Sequence, residues 1–230
     1  MQLLRFPGLK RLYWRAMSAR WRLSPTRWRW HFAELGFDRR HGVDTTARVE
    51  LARLAIDSEN LEFGRVYAAT PIALVRGVLS RLGIRHGDFS LVDLGSGKGR
   101  VLLLASEYGF RSIIGVEFSP ELNAIALKNI RLYPGCAGAD VRSICMDAAV
   151  FEFPREPCVV FLCRPFDEPV VEKVVANLRA ALAGGAAHII VVYFWPQERA
   201  PFERSSLFNT RESHADLVIY EAFGPPRTAA

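Results

Sequence analysis

Leu91-Val92-Asp93-Leu94-Gly95-Ser96-Gly97-Lys98-Gly99-Arg100 is the stretch that decides the fold of this 230-residue chain. Its apolar start predicts a strand, its glycines predict a tight loop, and a helix is predicted from Gly99 onward. Glycines at a strand-to-helix turn let the chain reverse sharply and let a ligand approach the backbone. Glu117 ends the next predicted strand, 22 residues beyond Gly95, where an acid can accept both hydroxyls of a ribose. The loop and the acid together predict a nucleoside-binding site.

The spacing within the loop separates three kinds of nucleotide site. A P-loop needs a glycine where this chain has Val92, and a Ser or Thr where it has Gly99. The dinucleotide fingerprint GxGxxG places its third glycine at position 100, which is Arg100 here. The carboxylate of Asp93 would lie unfavourably close to a pyrophosphate, but it suits the cationic methionine end of S-adenosylmethionine. We therefore predict S-adenosylmethionine as the cofactor, with an NAD-dependent oxidoreductase as the less favoured alternative.

Strand and helix patterns alternate beyond the loop, and the central strands are almost continuously apolar, as in strands covered on both faces. This predicts an α/β fold: a Rossmann-like, doubly wound, mostly parallel seven-stranded sheet with a C-terminal antiparallel hairpin and an N-terminal helical extension. Residues 46–83 are also predicted to be helical, with Thr70 as an N-cap and Pro71 as the first helical residue. The predicted strands are 89–94, 112–117, 141–145, 158–163, 188–195, 206–210 and 217–223, and the later helices are 99–108, 120–132 and 168–182.

The basic charge is concentrated at the N-terminus. Residues 1–40 hold ten Lys or Arg against two acids, whereas the remainder holds twenty against twenty-two. Trp14, Trp21 and Trp28 recur every seven residues, each followed by an arginine. We divide the chain into a basic aromatic helical arm, residues 1–45, and a second unit, residues 46–230. Three interpretations of the arm stay open: packing on its own domain, or contact of residues 1–40 with a membrane surface or with nucleic acid.

The composition and the spacing of the cysteines indicate the cellular compartment. Half of the residues are hydrophobic, but no apolar run approaches the ~20 residues that span a bilayer. Basic residues interrupt the N-terminus too often for a secretory signal. The four cysteines form no CxxC pair and no metal-binding spacing with histidine, so we predict reduced cysteines and no metal site. We expect a cytoplasmic protein, with membrane association through the arm as an alternative.

The loop at 91–100 and Glu117 carry a resemblance to the class I S-adenosylmethionine-dependent methyltransferases, which extends from about Tyr67 to Phe223. The resemblance implies that residues 93–99 wrap the methionine and ribose, that Glu117 holds the ribose hydroxyls, and that Met146-Asp147-Ala148 contacts the adenine. Helix N-capping is the alternative role for Asp147. The cofactor-binding residues implied in this way are Tyr67, Thr70, Asp93, Gly95, Ser96, Gly97, Gly99, Arg100, Glu117, Phe118, Asp147 and Ala148.

Three shorter stretches narrow the resemblance. Residues 37–45, 67–71 and 97–100 resemble a bacterial methyltransferase group of poorly defined substrate, related to the ATP-synthase c-subunit lysine methyltransferases and distantly to the Dot1-type histone lysine methyltransferases. In that group the first two stretches lie near the cofactor, so Tyr67 is expected to close over it. Lys98 and Arg100 lie where a helix begins, and cations are unfavourable there. A nearby anion is therefore expected: the methionine carboxylate, Asp93 or Glu117.

Cys163-Arg164-Pro165-Phe166 follows the fourth predicted strand, at the sheet edge where open α/β folds bind ligands. It supplies the substrate-side candidates Arg164, Pro165 and Phe166. The bacterial group usually has Asn-Pro-Phe here. Because an arginine side chain has no acceptor, only the backbone carbonyl of Arg164 can accept a hydrogen bond from a target amine. The methyl acceptor stays unidentified, with protein lysine ahead of a small molecule and nucleic acid. The alternative function is a non-catalytic methyltransferase-fold module that binds membrane or nucleic acid through the arm.

Overall fold

A seven-stranded sheet forms the centre of the computed structural model, which describes residues 25–47, 49, 67–164 and 166–225, with side chains from residue 33 onward. The strand order is β3-β2-β1-β4-β5-β7-β6. Strand β7 is antiparallel to both of its neighbours, and the other paired strands are parallel. The strands are β1 (Ser90–Leu94), β2 (Ser112–Glu117), β3 (Val141–Cys145), β4 (Cys158–Cys163), β5 (His188–Phe194), β6 (Asn209–Ser213) and β7 (Leu217–Phe223). The predicted fold class is confirmed.

Helices cover both faces of the sheet. One apolar cluster joins α2 and α3 to one face, and a second joins α5 to the other. This explains why every residue of β1 and of β2 is buried, and why these strands carry no polar alternation. The helices are α1 (Pro25–His41), α2 (Ile72–Ser80), α3 (Arg100–Ala105), α4 (Pro120–Leu132), α5 (Glu168–Ala183) and α6 (Ala200–Glu203).

Gly115 in β2 sets how closely the first crossover helix packs on the sheet. A β-carbon at Gly115 would lie 2.6 Å from Cδ1 of Leu102 and 2.8 Å from Oγ of Ser96. Both neighbours belong to the loop-and-helix unit that follows β1. The absent side chain therefore lets the glycine loop and α3 approach the carboxyl end of the sheet, where the site lies.

The C-terminal hairpin is confirmed, but its first strand begins at Asn209 rather than at residue 206. The apolar residues before Asn209 wrongly extended the predicted strand, because Phe208 is buried by ring packing against Phe202 and not by strand pairing. Strand β6 is polar, and Arg211 and Glu212 hold it to the fold by bonds to Leu82 and Arg81. Strand β5 likewise ends one residue earlier than predicted, since Trp195 turns to a φ of 46°.

The predicted helix over 46–83 is correct only for Ile72–Ser80 among the described residues. Val49 and Tyr67 instead form an antiparallel bridge, and residues 50–66 lie outside the described part of the chain. The prediction of Thr70 as N-cap is wrong: Pro71 occupies the cap position, and no side chain caps the helix. Thr70 is engaged elsewhere, because its hydroxyl contacts the thiol of Cys163 and its carbonyl accepts from Arg100.

The N-terminal extension packs on the sheet domain through some of its apolar side chains. Phe37 and Val43 are buried in the cluster beneath α2 and α3. The ring of His41 lies 4.8 Å from those of Phe37 and Tyr133, so it serves in this packing. Trp14 and Trp21 lie outside the described residues. The division at residue 45 stays a prediction, although residues on its N-terminal side contribute to the same core.

Candidate functional site

A cleft of about 650 Å³ opens at the carboxyl ends of β1, β2 and β4. Parallel α/β sheets bind ligands at this edge. Many of the sequence-predicted site residues meet here. The lining includes Tyr67, Thr70, Asp93, Gly95, Ser96, Arg100, Glu117, Phe118, Cys163, Arg164 and Phe166.

The glycine loop owes its shape to backbone conformations that other residues rarely adopt. Gly95, Gly97 and Gly99 all have positive φ, and Gly99 is the N-cap of α3. At Gly97 a β-carbon would lie 2.1 Å from Cε2 of the Tyr67 ring. Tyr67 therefore lies directly over the loop, and its hydroxyl donates to the carbonyl of Thr45 at 2.8 Å. Placing an aromatic ring this close to the loop requires glycine at position 97.

Glu117 binds the loop from the end of β2. Its Oε2 accepts the backbone N–H of Gly97 at 2.7 Å, and its Oε1 accepts that of Ser119 at 3.0 Å. The residue is 3% exposed, and burial raises the pKa of its carboxyl. Each carboxylate oxygen has a further lone pair, so Glu117 can hold the loop and still accept hydroxyl groups of a ligand.

Asp93 is the second buried carboxyl of the cleft. Burial and the neighbouring Glu117 carboxylate raise the pKa of Asp93 to about 8. Two acids in one desolvated cleft repel each other and favour a cation between them. The buried hydroxyl of Ser96 has no hydrogen-bond partner among the described residues. These features fit a ligand that brings positive charge and polar groups, and they oppose the pyrophosphate of NAD.

A second, shallower cavity continues from the first past Gly95, Phe118 and Phe166, which line both. Asp147 and Ala148 contribute to its wall. The carboxylate of Asp147 accepts the N–H of Ala149 at 2.8 Å and caps a short 3-10 helix, Ala148–Val150. The capping role considered for Asp147 is thus present, and its contact with adenine stays a prediction.

The substrate-side candidates lie at the end of β4. Arg164 is exposed and has a φ of 47°, a strained conformation for a residue other than glycine. Phe166 is buried between the two cavities, and Pro165 lies outside the described residues. Burial raises the pKa of the Cys163 thiol to about 11, so this cysteine is protonated at neutral pH. The cleft therefore presents an arginine and an aromatic ring beside the two carboxyls.

The two cations at the start of α3 have partners that the sequence reasoning missed. Lys98 Nζ lies 2.8 Å from Oδ1 of Asp44, and Arg100 Nη1 lies 3.2 Å from Oε1 of Glu34. Asp44 and Glu34 thus take the place in which Asp93 and Glu117 had been expected, and contact of either cation with the methionine carboxylate stays a prediction. The resemblance of residues 37–45 pointed to this region and could have suggested Asp44. No sequence signal marked Glu34, which lies within the helix of the basic arm.

Residues 91–185 match a family model described as a methyltransferase domain. Similar solved structures include the glycopeptide N-methyltransferase MtfA, 15% identical over 76% of this chain and 96% of that chain, with a TM-score of 0.52. MtfA complexed with S-adenosyl-L-methionine is 14% identical over 69% and 88%, with a TM-score of 0.50. A predicted N6-adenine-specific DNA methylase from Listeria monocytogenes is 13% identical over 68% and 52%, with a TM-score of 0.51. No curated protein sequence matches the chain.

The partial family match and the similar solved structures confirm the predicted class I methyltransferase fold. The MtfA structures were solved with S-adenosyl-L-methionine or S-adenosyl-L-homocysteine bound, and the former is the cofactor predicted for this chain. The finer relationship to the bacterial lysine methyltransferase group stays a prediction. In the described ranges, no helix is long and apolar enough to cross a membrane.

Proposed function

We propose that the chain is an S-adenosylmethionine-dependent methyltransferase that acts by direct displacement on an acceptor not yet identified. The observation that carries the proposal is the pair of buried carboxyls, Asp93 and Glu117, in the cleft behind the glycine loop. A cationic nucleoside relieves the repulsion between them and provides hydroxyls for Glu117. NAD offers the hydroxyls but brings a pyrophosphate instead of a cation.

Each part of the cleft has a role in holding such a cofactor. We assign the ribose hydroxyls to Glu117, the cationic methionine end to Asp93, and the adenine to the cavity lined by Asp147 and Ala148. Tyr67 and Thr70 cover the loop side, and Phe118 and Phe166 separate the two cavities. The bound cofactor supplies an activated methyl group, so the protein mainly has to align the acceptor with it.

The acceptor site is the less defined half. We infer a protein lysine first, from the resemblance to the bacterial group, and a small molecule second. Arg164 occupies the position where that group usually has asparagine, so an amine acceptor would have to be oriented by a backbone carbonyl. Phe166 offers an apolar wall to the acceptor. Membrane or nucleic-acid contact through residues 1–40 is a separate proposal, supported by the basic charge of that segment.

Calorimetry with the intact protein tests the cofactor assignment. S-adenosylmethionine should bind with a dissociation constant in the micromolar range. Glu117→Ala should weaken it by about 30-fold or more, since charge-assisted hydrogen bonds contribute about 2 kcal/mol. Glu152→Ala is the matched control, because Glu152 is an exposed acid outside the cleft. Absence of binding by folded wild-type protein would refute the proposal. A tritiated-methyl assay on fractionated lysate then identifies the acceptor class.

A further inference from the structure

A segment from the N-terminal extension closes the back of the glycine loop. We call residues 34–46 the strap. Its turn is held by Asp38, whose carboxylate accepts the backbone N–H groups of Thr45 and Thr46 and the Thr45 hydroxyl, at 2.6–2.9 Å. The strap lies outside residues 91–185, which match the methyltransferase family. It is therefore an addition to the matched domain that reaches the predicted cofactor loop.

The strap surrounds the guanidinium of Arg100. Nε donates to the hydroxyl of Thr45 and Nη2 to that of Thr46, each at 2.8 Å. Nη1 forms the ion pair with Glu34, in which the two side chains are 1% and 14% exposed. Arg100 also lines the cleft. A buried cation is very costly unless it is paired and hydrogen-bonded, so the strap is what permits this positive charge beside the cleft.

The strap also pairs with Lys98, one residue before the N-cap of α3. Asp44 receives the ammonium group through both carboxylate oxygens, at 2.8 and 2.9 Å. Asn129 fixes the geometry: its amide nitrogen donates to the carbonyls of Asp44 and Lys98, and its Oδ1 accepts the N–H of Asp44. Lys98 is 2% exposed. Both cations of the loop are therefore buried and each is matched by an acid of the strap.

This pairing matters because the methyl donor and its product differ by one charge. The sulfonium of S-adenosylmethionine is cationic, whereas the thioether of S-adenosylhomocysteine is neutral. Two uncompensated cations and the positive end of α3 would act against the sulfonium. With Glu34 and Asp44 in place, the acidic groups left facing the ligand are Glu117 and Asp93, and a bound sulfonium favours ionisation of the Asp93 carboxyl.

We propose that Glu34 and Asp44 are positioning residues that set the charge of the cofactor cleft, so that it binds the sulfonium donor in preference to the neutral thioether product. The inference rests on the proposed function. It adds the strap to the cofactor site and assigns it an effect on ligand preference as well as a role in packing.

The test is the ratio of two dissociation constants, Kd for S-adenosylmethionine over Kd for S-adenosylhomocysteine, measured by calorimetry on the full chain. Glu34→Gln should raise this ratio about three- to tenfold, because it leaves a buried cation near the sulfonium. Asp44→Asn should raise it about twofold, since Asp44 is 56% exposed and its charge is screened by water. Asp44→Asn combined with Lys98→Met removes both charges and should restore the wild-type ratio.

Glu212→Gln is the matched control, because it removes the acid partner of an exposed arginine, Arg81, away from the cleft. Its ratio should equal that of the wild type. Equal weakening of both ligands by Glu34→Gln and Asp44→Asn would overturn the inference and leave the strap a structural support. If Glu34→Gln does not fold, Asp44→Asn and its double variant decide. If folded wild-type protein binds neither ligand, the proposed function itself fails.

Discussion

The two halves of the cleft are built on different principles. On the cofactor side, Glu117 is buried and fixed by backbone N–H groups of Gly97 and Ser119, so its geometry is set by the main chain. On the acceptor side, Arg164 is exposed and strained, with a φ of 47°. The first half, which we propose holds the cofactor, is fixed by hydrogen bonds to the main chain. The second half is formed by side chains at the end of β4.

Gly97→Ala should have the largest effect, and it acts on the proposed cofactor half. A β-carbon there would lie 2.1 Å from the Tyr67 ring and would sit on a residue with a φ of 54°. Either the ring or the loop must move, which breaks the hydrogen bond from Gly97 to Glu117. Hydrogen bonds to charged groups contribute about 1.5–3 kcal/mol, or about 10- to 100-fold in affinity. We expect cofactor affinity to fall by about that factor, measured by calorimetry.

Gly138→Ala separates the effect of backbone strain from the effect of the steric clash with Tyr67 in the Gly97→Ala experiment. Gly138 also has a positive φ, 79°, but a β-carbon there would have nothing within 4 Å. This variant should lose about 1 kcal/mol of stability and keep its cofactor affinity. If both variants bound cofactor normally, the loop would be less tightly held by Tyr67 than the geometry indicates.

Asp93→Asn should change how the stability of the cofactor-free protein depends on pH. The pKa of Asp93 is raised from 3.8 to about 8, so between those values the folded protein holds a proton that the unfolded chain releases. The stability contribution of this group is therefore full below about pH 4 and decreases as the pH rises towards 8. From pH 5 to pH 8 the Tm of the wild type should fall by about 7–15 °C relative to Asp93→Asn.

The same proton links pH to cofactor binding, because only the ionised carboxylate attracts the sulfonium. The Kd of the wild type for S-adenosylmethionine should decrease as the pH approaches 8, and that of Asp93→Asn should not. Asp140→Asn is the control, since Asp140 is exposed. A wild-type melting profile that is parallel to that of Asp93→Asn at every pH would show that Asp93 is ionised throughout.

The proposed cofactor half of the cleft could be read from the sequence because its signals are local. Glycines at a strand-to-helix turn, an acid at the end of the next strand and continuous apolar strands each reflect the backbone within a few residues. These features predicted the sheet, the loop and the place of Glu117. The position of Tyr67 beside the loop was predicted from the family resemblance and not from these local signals.

What the sequence did not reveal depends on contacts between distant segments. Glu34 is 66 positions from Arg100 in the sequence and gave no signal, because a single glutamate in a basic helix looks like a solvated charge. Thr70 fitted an N-cap pattern, yet Arg100 and Cys163 engage it instead. Phe208 looked like a strand residue and is buried by ring packing on Phe202.

Arg164→Asn tests the proposed acceptor half of the cleft and should leave the proposed cofactor half unchanged. Asparagine tolerates positive φ better than arginine does, so we expect a gain of about 0.5–1 kcal/mol, or about 1–4 °C in Tm. Its carbonyl oxygen can accept a hydrogen bond from an amine, so the set of lysate fractions that receive tritiated methyl should change. Cofactor affinity should stay within about twofold of the wild type, because Glu117 and Asp93 are untouched. A loss of cofactor affinity would show that the two halves are coupled.

Truncation of the arm should have the smallest effect on the cleft, provided that it stops in front of the strap. Deleting residues 1–24 retains α1 and Glu34, so cofactor affinity should stay within about twofold of the wild type. Deleting residues 1–36 removes Glu34 and leaves Arg100 buried without its acid, which typically costs about 3–5 kcal/mol, and both Tm and cofactor affinity should fall. Flotation with anionic liposomes and gel shifts with RNA, made with the shorter deletion, measure what the basic residues of 1–24 bind. If both truncations lost cofactor affinity equally, residues 1–24 would be needed for cofactor binding, and the strap would not mark the N-terminal limit of the site.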